Sequence, residues 1–200
     1  MPDYEYEKAA VSSGFKYICG VDEAGRGPLA GPVCAAAVIL PEDACIPGLN
    51  DSKKLSEKKR EQLFDVITEK ALAYSVAYGT LEEIEKLNIL EATFLAMNRA
   101  VEGLALKPDF ALIDGNRAPK GIKIPCETVV KGDAKSMSVA AASVLAKVSR
   151  DRLMLEYDKK YPLYDFKKHK GYGTKEHTEL IKKYGPCGIH RLSFLKNILK

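Results

Sequence analysis

Residues 17–28 read YICGVDEAGRGP, an apolar run followed by two acidic residues and a glycine-rich turn. The run from Tyr17 to Val21 is typical of a buried strand. A second apolar run, VCAAAVIL at 33–40, follows a connection rich in Gly and Pro, so the two runs are predicted to be neighbouring strands. The fold is therefore expected to extend outward from this pair, with acidic residues at one strand end.

The rest of the chain alternates extended and helical patterns. Thr80 and Glu83 have the T-x-x-E spacing of a capping box, and Ser56 and Thr174 are typical N-caps, so a helix is predicted after each. The further predicted strands are LAYSVAYGT, 110–113 and part of 122–130, and the longer predicted helices are EKKREQLFDVITEK, 89–103, 136–159 and 175–184. This order predicts an α/β fold with a central mixed sheet flanked by helices. We expect one domain over 1–200, with a small helical C-terminal portion from about 160.

The composition is typical of a globular domain with a full core, because 46% of the 200 residues are hydrophobic and 29% are charged. A net charge of +4 is too small to indicate nucleic-acid binding on its own. Basic residues are nevertheless clustered, and such clusters either contact phosphate groups or form solvated helix faces. The clusters are DSKKLSEKKR, FKKHKGYGTK and HRLSFLKNILK.

The cysteines and the N-terminal segment bear on location. The five cysteines are widely spaced without a C-x-x-C pair, which fits a reducing compartment and argues against zinc. Cys19 and Cys34 lie in apolar runs and are predicted to be small buried side chains. The N-terminus has no apolar signal region, and no segment approaches ~18 uninterrupted apolar residues. We expect a cytoplasmic monomer without membrane contact.

Two carboxylates, Asp22 and Asp114, each follow an apolar run that is predicted to be a strand. Functional groups gather at strand ends, where a rigid element holds them in place. Carboxylates are hard oxygen ligands suited to Mg²⁺ or Mn²⁺. The alternative is structural, because acidic residues at a strand end can be held by N–H groups, and Asp114-Gly115-Asn116 is also a good turn.

Glu23 stands directly after Asp22, and consecutive side chains of a strand point to opposite faces. The two carboxylates aim at one ion only if the strand ends there. Gly25 and Gly27 favour such an ending, since glycine permits turns and close approach of the backbone to a ligand. Alternatively, Glu23 contributes its main-chain carbonyl.

Seven motifs form a series along the chain: VDEAGRGPLAGP, NDSKKLS, LIDGN, VKGDAKS, SVAAASVLAKVSRDR, HKGYGT and HRLSF. The series resembles that of bacterial ribonuclease HII from about residue 17 to about 195, and DEAGRGP with AASVLAKVSRD is its most specific part. The resemblance implies an RNase H-like fold whose active site gathers Asp22, Glu23, Asp114 and Asp133. Asp133 enters through the resemblance alone, because its local pattern does not distinguish it from a turn aspartate.

The resemblance also implies a reaction. Such an enzyme hydrolyses the RNA strand of RNA/DNA hybrids and cuts 5′ to ribonucleotides embedded in duplex DNA, leaving 5′-phosphate and 3′-hydroxyl ends. Two divalent ions about 3.5–4 Å apart, Mn²⁺ or Mg²⁺, would act together with the substrate bound. Four clustered carboxylates have enough negative charge to hold them, and without metal their mutual repulsion should raise at least one pKa.

Substrate contacts follow from the same motifs. Gly25, Arg26 and Gly27 suit reading of the 2′-hydroxyl, since glycine lets the backbone reach the minor groove and Arg26 offers a fork of donors. By resemblance, Tyr172 packs against the sugar of the following nucleotide; otherwise it is an ordinary loop aromatic. The phosphate-contacting candidates are Asn50, Ser52 and Lys53, with Lys54, His169 and Lys170 as further candidates.

Some residues near these motifs are expected to be structural. His169 and Lys170 have a structural role as an equal alternative to phosphate contact or proton transfer. His190 and Arg191 are predicted to hold the C-terminal segment in place, and His177 is predicted to lie on the surface of a helix.

Two other functions remain open from the residues alone. One is a non-catalytic nucleic-acid-binding domain that uses the lysine clusters, which the strand-end carboxylates disfavour because they would repel phosphate. The other is a two-metal nuclease or phosphotransferase that acts on DNA. SFLKNIL at 193–199 is amphipathic but is not a clear clamp-binding motif.

Overall fold

A five-stranded sheet is the centre of the chain, which a computed structural model describes over residues 1–199. The strands are β1 (Ile18–Ala24), β2 (Val33–Ile39), β3 (Ala73–Gly79), β4 (Phe110–Asp114) and β5 (Cys126–Val129). Their order across the sheet is β3-β2-β1-β4-β5. β1 is antiparallel to β2 and parallel to β4, so the sheet is mixed and the first two apolar runs are neighbours, as predicted.

Seven helices of four residues or more surround the sheet in the described residues. They are α1 (Glu5–Ser12), α2 (Glu57–Lys70), α3 (Leu81–Leu87), α4 (Ile89–Glu102), α5 (Met137–Lys160), α6 (Phe166–His169) and α7 (Lys175–Tyr184). The predicted caps are confirmed: Ser56 and Thr174 each accept a main-chain N–H, and Thr80 with Glu83 forms a reciprocal capping box. Helix α1 was not predicted from the sequence.

Helix α5 packs against β1 and β2 at unusually close range. Its first half is rich in small residues, and Ala140, Ala141 and Ala142 are completely buried. At Gly20 of β1, an added Cβ would lie 2.1 Å from the main-chain carbonyl carbon of Ser138. The absence of a side chain at Gly20 therefore allows the helix to lie directly on the strand that carries the acidic pair.

Apolar residues fill both faces of the sheet. Alternate residues of β1 and β2, such as Val21 and Ala35, pack under α4, while Cys34 and Ala36 face α5. Cys19 and Cys34 are completely buried, as predicted. Because β1 and β2 are covered on both sides, they have nearly continuous apolar sequences rather than an alternating pattern.

The chain after residue 160 is helical, as expected, and has its own apolar cluster. Phe166, Ile181, Ile189 and Leu195 pack there with Met154 from the end of α5. This portion also returns to the segment after β1, where Gly31 N–H donates to the Ile189 carbonyl at 2.9 Å. None of the helices in residues 1–199 is long and apolar enough to span a bilayer.

Candidate active site

Three carboxylates meet at one end of the sheet. Asp22 and Glu23 lie near the end of β1, and Asp114 is the last residue of β4. One carboxylate oxygen from each lies within 4.8 Å of the others. They meet because β1 and β4 are parallel neighbours, so their carboxyl ends share an edge. We call Asp22, Glu23 and Asp114 the carboxylate cluster.

The acidic pair does not coincide with the end of the strand, so that expectation is wrong. β1 continues to Ala24 and pairs with β2 along this whole segment, with Glu23 opposite Ala35 and Ala24 opposite Cys34. Its pairing with β4 stops earlier, at Val21. The β4 side of β1 is therefore open beside the acidic pair, and Glu23 and Asp114 line a common cleft of about 230 Å³ there.

Burial and the neighbouring negative charges raise the pKa of two members of this cluster, Asp22 and Glu23. Asp22 is only 4% exposed, and its pKa lies well above the usual range because of burial first and the charges of Glu23 and Asp114 second. Burial also raises the pKa of Glu23, although Arg26, whose Nη1 lies 3.3 Å from Glu23 Oε1, opposes the shift. A hard divalent cation would relieve this repulsion, so the donor set fits Mg²⁺ or Mn²⁺.

Asp114 is held in place by the backbone of the next motif. Gly132 N–H donates to Asp114 Oδ1 at 2.7 Å. An N–H group thus holds this strand-end carboxylate, as the structural alternative to metal binding supposed, and the carboxylate also belongs to the cluster. Gly132 begins a short 3₁₀ helix, Gly132–Ala134, that follows β5. Asp133 is thereby placed next to the cluster.

Asp133 is 6% exposed, and burial followed by the charge of Asp114 raises its pKa. It is not part of the group of three that the described residues bring within 4.8 Å. Lys53 faces it, with Nζ 3.9 Å from Asp133 Oδ2. Burial lowers the pKa of Lys53, but Asp22, Asp133 and other carboxylates outweigh that effect and raise it overall.

The other candidates of the NDSKKLS motif lie around Lys53. Ser52 is buried, and its hydroxyl is hydrogen-bonded to the Ser143 hydroxyl at 2.9 Å. Asn50 Oδ1 accepts the Asp51 N–H at 2.9 Å, and Lys54 is exposed. Among the candidate phosphate-contacting residues of this motif, Lys53 is therefore the one whose side chain pairs with an acidic residue of the site.

The turn after β1 needs glycine at one of its two candidate positions. Gly25 has φ +93°, and an added Cβ would lie 1.9 Å from Nε of the buried Arg150. Gly27 has open space around its missing side chain, with nothing within 4 Å. The Arg26 side chain between them is 50% exposed. The turn therefore packs against Arg150 at Gly25 and is open to solvent at Arg26 and Gly27.

Two completely buried arginines, Arg191 and Arg150, hold this turn and the segment that follows it. Arg191 donates to the carbonyls of Gly25, Arg26 and Gly31 at 2.6, 2.9 and 2.8 Å. Burial, followed by the charge of Arg150, lowers the pKa of Arg191 to about 9. Arg191 therefore holds the C-terminal segment, as predicted, and also holds the glycine-rich turn.

Arg150, which was not predicted as a site residue, joins the segment after this turn to the HKGYGT loop. Its guanidinium donates to the carbonyls of Ala30, Pro32 and Lys170 at 3.0, 3.1 and 3.0 Å. The sequence signal that could have indicated Arg150 is an arginine within a helix that is otherwise rich in small and apolar residues, SVAAASVLAKVSRDR. The two segments that the resemblance links to substrate are thus held by one side chain.

Replacing Arg191 with Met is expected to destabilise the protein by about 2–3 kcal/mol, because three buried carbonyls lose their donors. Urea denaturation would measure the loss. Arg152→Met is the matched control, since Arg152 is 46% exposed and pairs with Glu61 at the surface, where such pairs contribute about 0–1 kcal/mol. Equal effects of the two substitutions would contradict the role of Arg191.

Tyr172 is 42% exposed and lies in the loop between α6 and α7. Its ring centre is 5.7 Å from Lys147 Nζ and 5.9 Å from Arg150 Cζ. Lys170 folds back, with Nζ bonded to the Lys167 carbonyl and 3.8 Å from Glu57. His169 is 7% exposed and bonds through Nε2 to the Tyr164 carbonyl at 2.8 Å. Both residues therefore make the structural contacts considered as the alternative to phosphate binding.

His177 is completely buried, so the prediction that it lies on the surface is wrong. The capped first turn of α7 directs it inward, where it stacks on His169 with ring centres 4.2 Å apart. Its Nε2 lies 3.1 Å from Nε2 of His190. Burial lowers the pKa of His177 and of His190 from 6.5 to about 4.

Stability should therefore fall as the pH falls. His177 and His190 bind a proton more weakly in the folded chain than in the unfolded chain, so their contribution is complete above about pH 6.5 and is lost toward pH 4. We expect a loss of about 1–2 kcal/mol between pH 7.5 and 5, allowing for solvent screening. Urea denaturation at both pH values measures it. His190→Gln removes one titrating group and should lose less over this interval; an equal loss would contradict the assignment.

Solved structures support the interpretation of this site. The ribonuclease H2 from Pyrococcus horikoshii OT3 matches with a TM-score of 0.75 and 30% identity, covering 92% of this chain and 97% of that one. The mixed sheet flanked by helices is therefore the predicted RNase H-like fold. Fold and carboxylate cluster together define an endoribonuclease of the ribonuclease H class, whose enzymes use divalent metal ions.

The chain belongs to the ribonuclease HII family, whose model matches residues 19–197. The ribonuclease HII of Endomicrobium trichonymphae is 60% identical, over 96% of this chain and 91% of that protein. The ribonuclease HII of Caldicellulosiruptor bescii is 56% identical, over 98% and 95%. The resemblance stated from the motifs is thereby confirmed, together with ribonuclease H activity on RNA/DNA hybrids.

Proposed function

We propose that this protein hydrolyses the RNA strand of RNA/DNA hybrids and also cuts 5′ to single ribonucleotides embedded in duplex DNA. In this proposal Asp22, Glu23, Asp114 and Asp133 hold two divalent cations, Mg²⁺ or Mn²⁺, when the substrate is bound. The observation that carries it is the carboxylate cluster, three buried or half-buried acids with oxygens within 4.8 Å of one another. The products have 5′-phosphate and 3′-hydroxyl ends.

Cations bound to these residues would neutralise charge on the scissile phosphate and lower the pKa of an attacking water. The residues of the chain keep the site in place before that happens. Gly132 N–H fixes one oxygen of Asp114, and Glu23 N–H fixes one oxygen of Asp22 at 2.7 Å. Lys53 adds a positive charge beside Asp133, where it is available to a substrate phosphate.

The turn at Gly25, Arg26 and Gly27 reads the 2′-hydroxyl in this proposal. Its support is the open surface at Gly27, which lets the backbone approach a ribose, and the half-exposed donors of Arg26. Tyr172 packs on the sugar that follows, since its ring is exposed while its loop is held by Arg150.

Further contacts to phosphate are assigned to Asn50, Ser52 and Lys53, with Lys54 at the edge. His169 and Lys170 support the Tyr172 loop rather than reach the substrate, because both are occupied by internal bonds. The five free cysteines are consistent with work in a reducing compartment such as the cytoplasm.

One assay separates this function from the alternatives. Three duplexes of the same sequence are compared: an all-DNA duplex, a DNA duplex with one ribonucleotide, and an RNA/DNA hybrid. We expect cleavage of the latter two in Mg²⁺ or Mn²⁺, with the cut in the second duplex 5′ to the ribonucleotide. Equal cutting of the all-DNA duplex, or cleavage undiminished in excess chelator, would overturn the proposal.

Metal binding should be visible without substrate. Mn²⁺ is expected to raise the melting temperature by a few degrees, because a ligand that binds only the folded chain stabilises it. The same titration of Asp22→Asn should give a smaller rise, since that substitution removes one ligand charge from the cluster. A thermal shift of the same size in both proteins would place the ion elsewhere.

A further inference from the structure

The chain contains three histidines, and all of them lie in one buried cluster behind the Tyr172 loop. His169, His177 and His190 are 7%, 0% and 5% exposed. The ring of Phe166 packs against each of them, with centre-to-centre distances of 5.8, 5.5 and 5.7 Å. They are not members of the carboxylate cluster, so their role must be sought in what they bond to.

Hydrogen bonds fix which nitrogen of each ring carries the proton. His190 Nδ1 accepts the Cys187 N–H at 2.8 Å, and a neutral imidazole has one proton, so that of His190 is on Nε2. This proton points at His177 Nε2, 3.1 Å away, which must accept it. The proton of His177 is therefore on Nδ1, where it is donated to the Tyr172 carbonyl at 2.9 Å.

The resulting relay runs in one direction, from Cys187 N–H through His190 and His177 to the Tyr172 carbonyl. Reversing it would set His190 Nδ1–H against the Cys187 N–H and a bare Nδ1 of His177 against the Tyr172 carbonyl oxygen. Protonation of either ring also breaks it: a second proton on His177 would set two N–H groups against each other at His190, and a second proton on His190 would set its Nδ1–H against the Cys187 N–H. The lowered pKa of both residues is consistent with neutral rings.

His169 holds the same loop from its other side. Its Nδ1 accepts the Gly171 N–H at 3.2 Å, so its own proton is on Nε2 and is donated to the Tyr164 carbonyl. Tyr172 N–H donates to the His169 carbonyl at 2.8 Å. Both main-chain polar groups of Tyr172 are thus bonded to this cluster, and its carbonyl also accepts the Thr174 N–H at 2.8 Å.

We propose that His177 and His190 are positioning residues for substrate recognition, and that their relay fixes the main chain of Tyr172 and thereby aims its ring. This inference rests on the role given to Tyr172 under the proposed function. The ring itself is 42% exposed and has only distant contacts to Lys147 and Arg150. Its direction is therefore set mainly by its backbone, which the relay holds.

The first test reads the relay directly and does not depend on activity. Nitrogen-15 NMR of the imidazole rings at pH 7 distinguishes the two neutral tautomers. We expect Nδ1–H for His177 and Nε2–H for His190 and His169. An Nε2–H tautomer for His177, or rapid exchange between its two forms, would overturn the relay.

The second test measures the ratio of kcat/KM on DNA with one ribonucleotide to kcat/KM on a uniform RNA/DNA hybrid. His177→Leu removes the side-chain donor to the Tyr172 carbonyl and leaves it only the Thr174 N–H, while His177→Asn keeps an N–H near the Nδ1 position. We expect the ratio to fall about tenfold in the Leu variant, since small displacements of a positioning group are costly, and to stay within about twofold in the Asn variant. A purely structural role would lower both rates together and leave the ratio unchanged.

Tyr172→Ala separates failure of this inference from failure of the proposed function. If Tyr172→Ala leaves the ratio unchanged, the role proposed for Tyr172 is wrong, and positioning of its ring by the relay cannot contribute to substrate recognition. If Tyr172→Ala lowers the ratio but His177→Leu does not, the relay inference alone is wrong. Should His177→Leu fail to fold, His190→Leu interrupts the relay one step earlier and is expected to lower the ratio in the same direction.

Discussion

Replacing Asp22 with Asn is expected to lower kcat by about a thousandfold or more while the substrate still binds. Asn has the same shape and keeps an oxygen for the Glu23 N–H, which Asp22 accepts at 2.7 Å. It removes the charge at the most buried member of the carboxylate cluster. Single-turnover cleavage of an RNA/DNA hybrid measures the loss, and fluorescence anisotropy of the labelled hybrid measures binding.

The same substitution should stabilise the metal-free protein, by about 1 kcal/mol. The reason is that Asp22, Glu23 and Asp114 repel one another when no cation is present, which raises the pKa of Asp22. Asp65→Asn is the matched control, because Asp65 is exposed on α2 and should change neither cleavage nor melting. Undiminished cleavage by Asp22→Asn would remove Asp22 from the mechanism.

Replacing Gly20 with Ala is expected to destabilise the protein by about 4 kcal/mol or to prevent folding. The new Cβ would lie 2.1 Å from the Ser138 carbonyl carbon and 2.2 Å from Val139 N. Both atoms belong to the backbone of α5, a helix of 24 residues that cannot move aside locally. Urea denaturation followed by circular dichroism measures the effect.

Gly27→Ala is the control for this prediction. It adds the same methyl group where no atom lies within 4 Å, so its free energy of unfolding should change by less than about 0.5 kcal/mol. Similar stabilities of the two variants would show that the contact between β1 and α5 is looser than the structure indicates.

The order of strands and helices could be predicted because its signals are local. The two residues of the capping box, Thr80 and Glu83, are close together in the sequence, and the apolar residues of β2 are consecutive. The structure confirms both elements. Helix α1 escaped prediction because it packs through long-range bonds. Its Glu7 Oε1 accepts the N–H and hydroxyl of Ser138, 131 residues away.

In the candidate site too, residues with a local signal were predicted, and residues whose role depends on distant segments were not. Asp22 and Asp114 follow apolar runs, so their position toward the carboxyl ends of β1 and β4 could be predicted, although β1 continues to Ala24. Arg150 and His177 were missed or misassigned because their burial depends on segments far away in the chain. Arg150 bonds to Ala30, 120 residues away, so its partners could not be identified from the residues around it.

His190 and Arg191 are consecutive residues that serve two different loops. His190 supports Tyr172 through His177, and Arg191 holds the carbonyls of Gly25 and Arg26. The two loops are therefore linked through a single peptide unit, in addition to Arg150, which bonds to Ala30 and Lys170. If the loops contact successive nucleotides, an insertion of one residue between His190 and Arg191 should make the position of the cleaved bond less specific while leaving the carboxylate cluster intact.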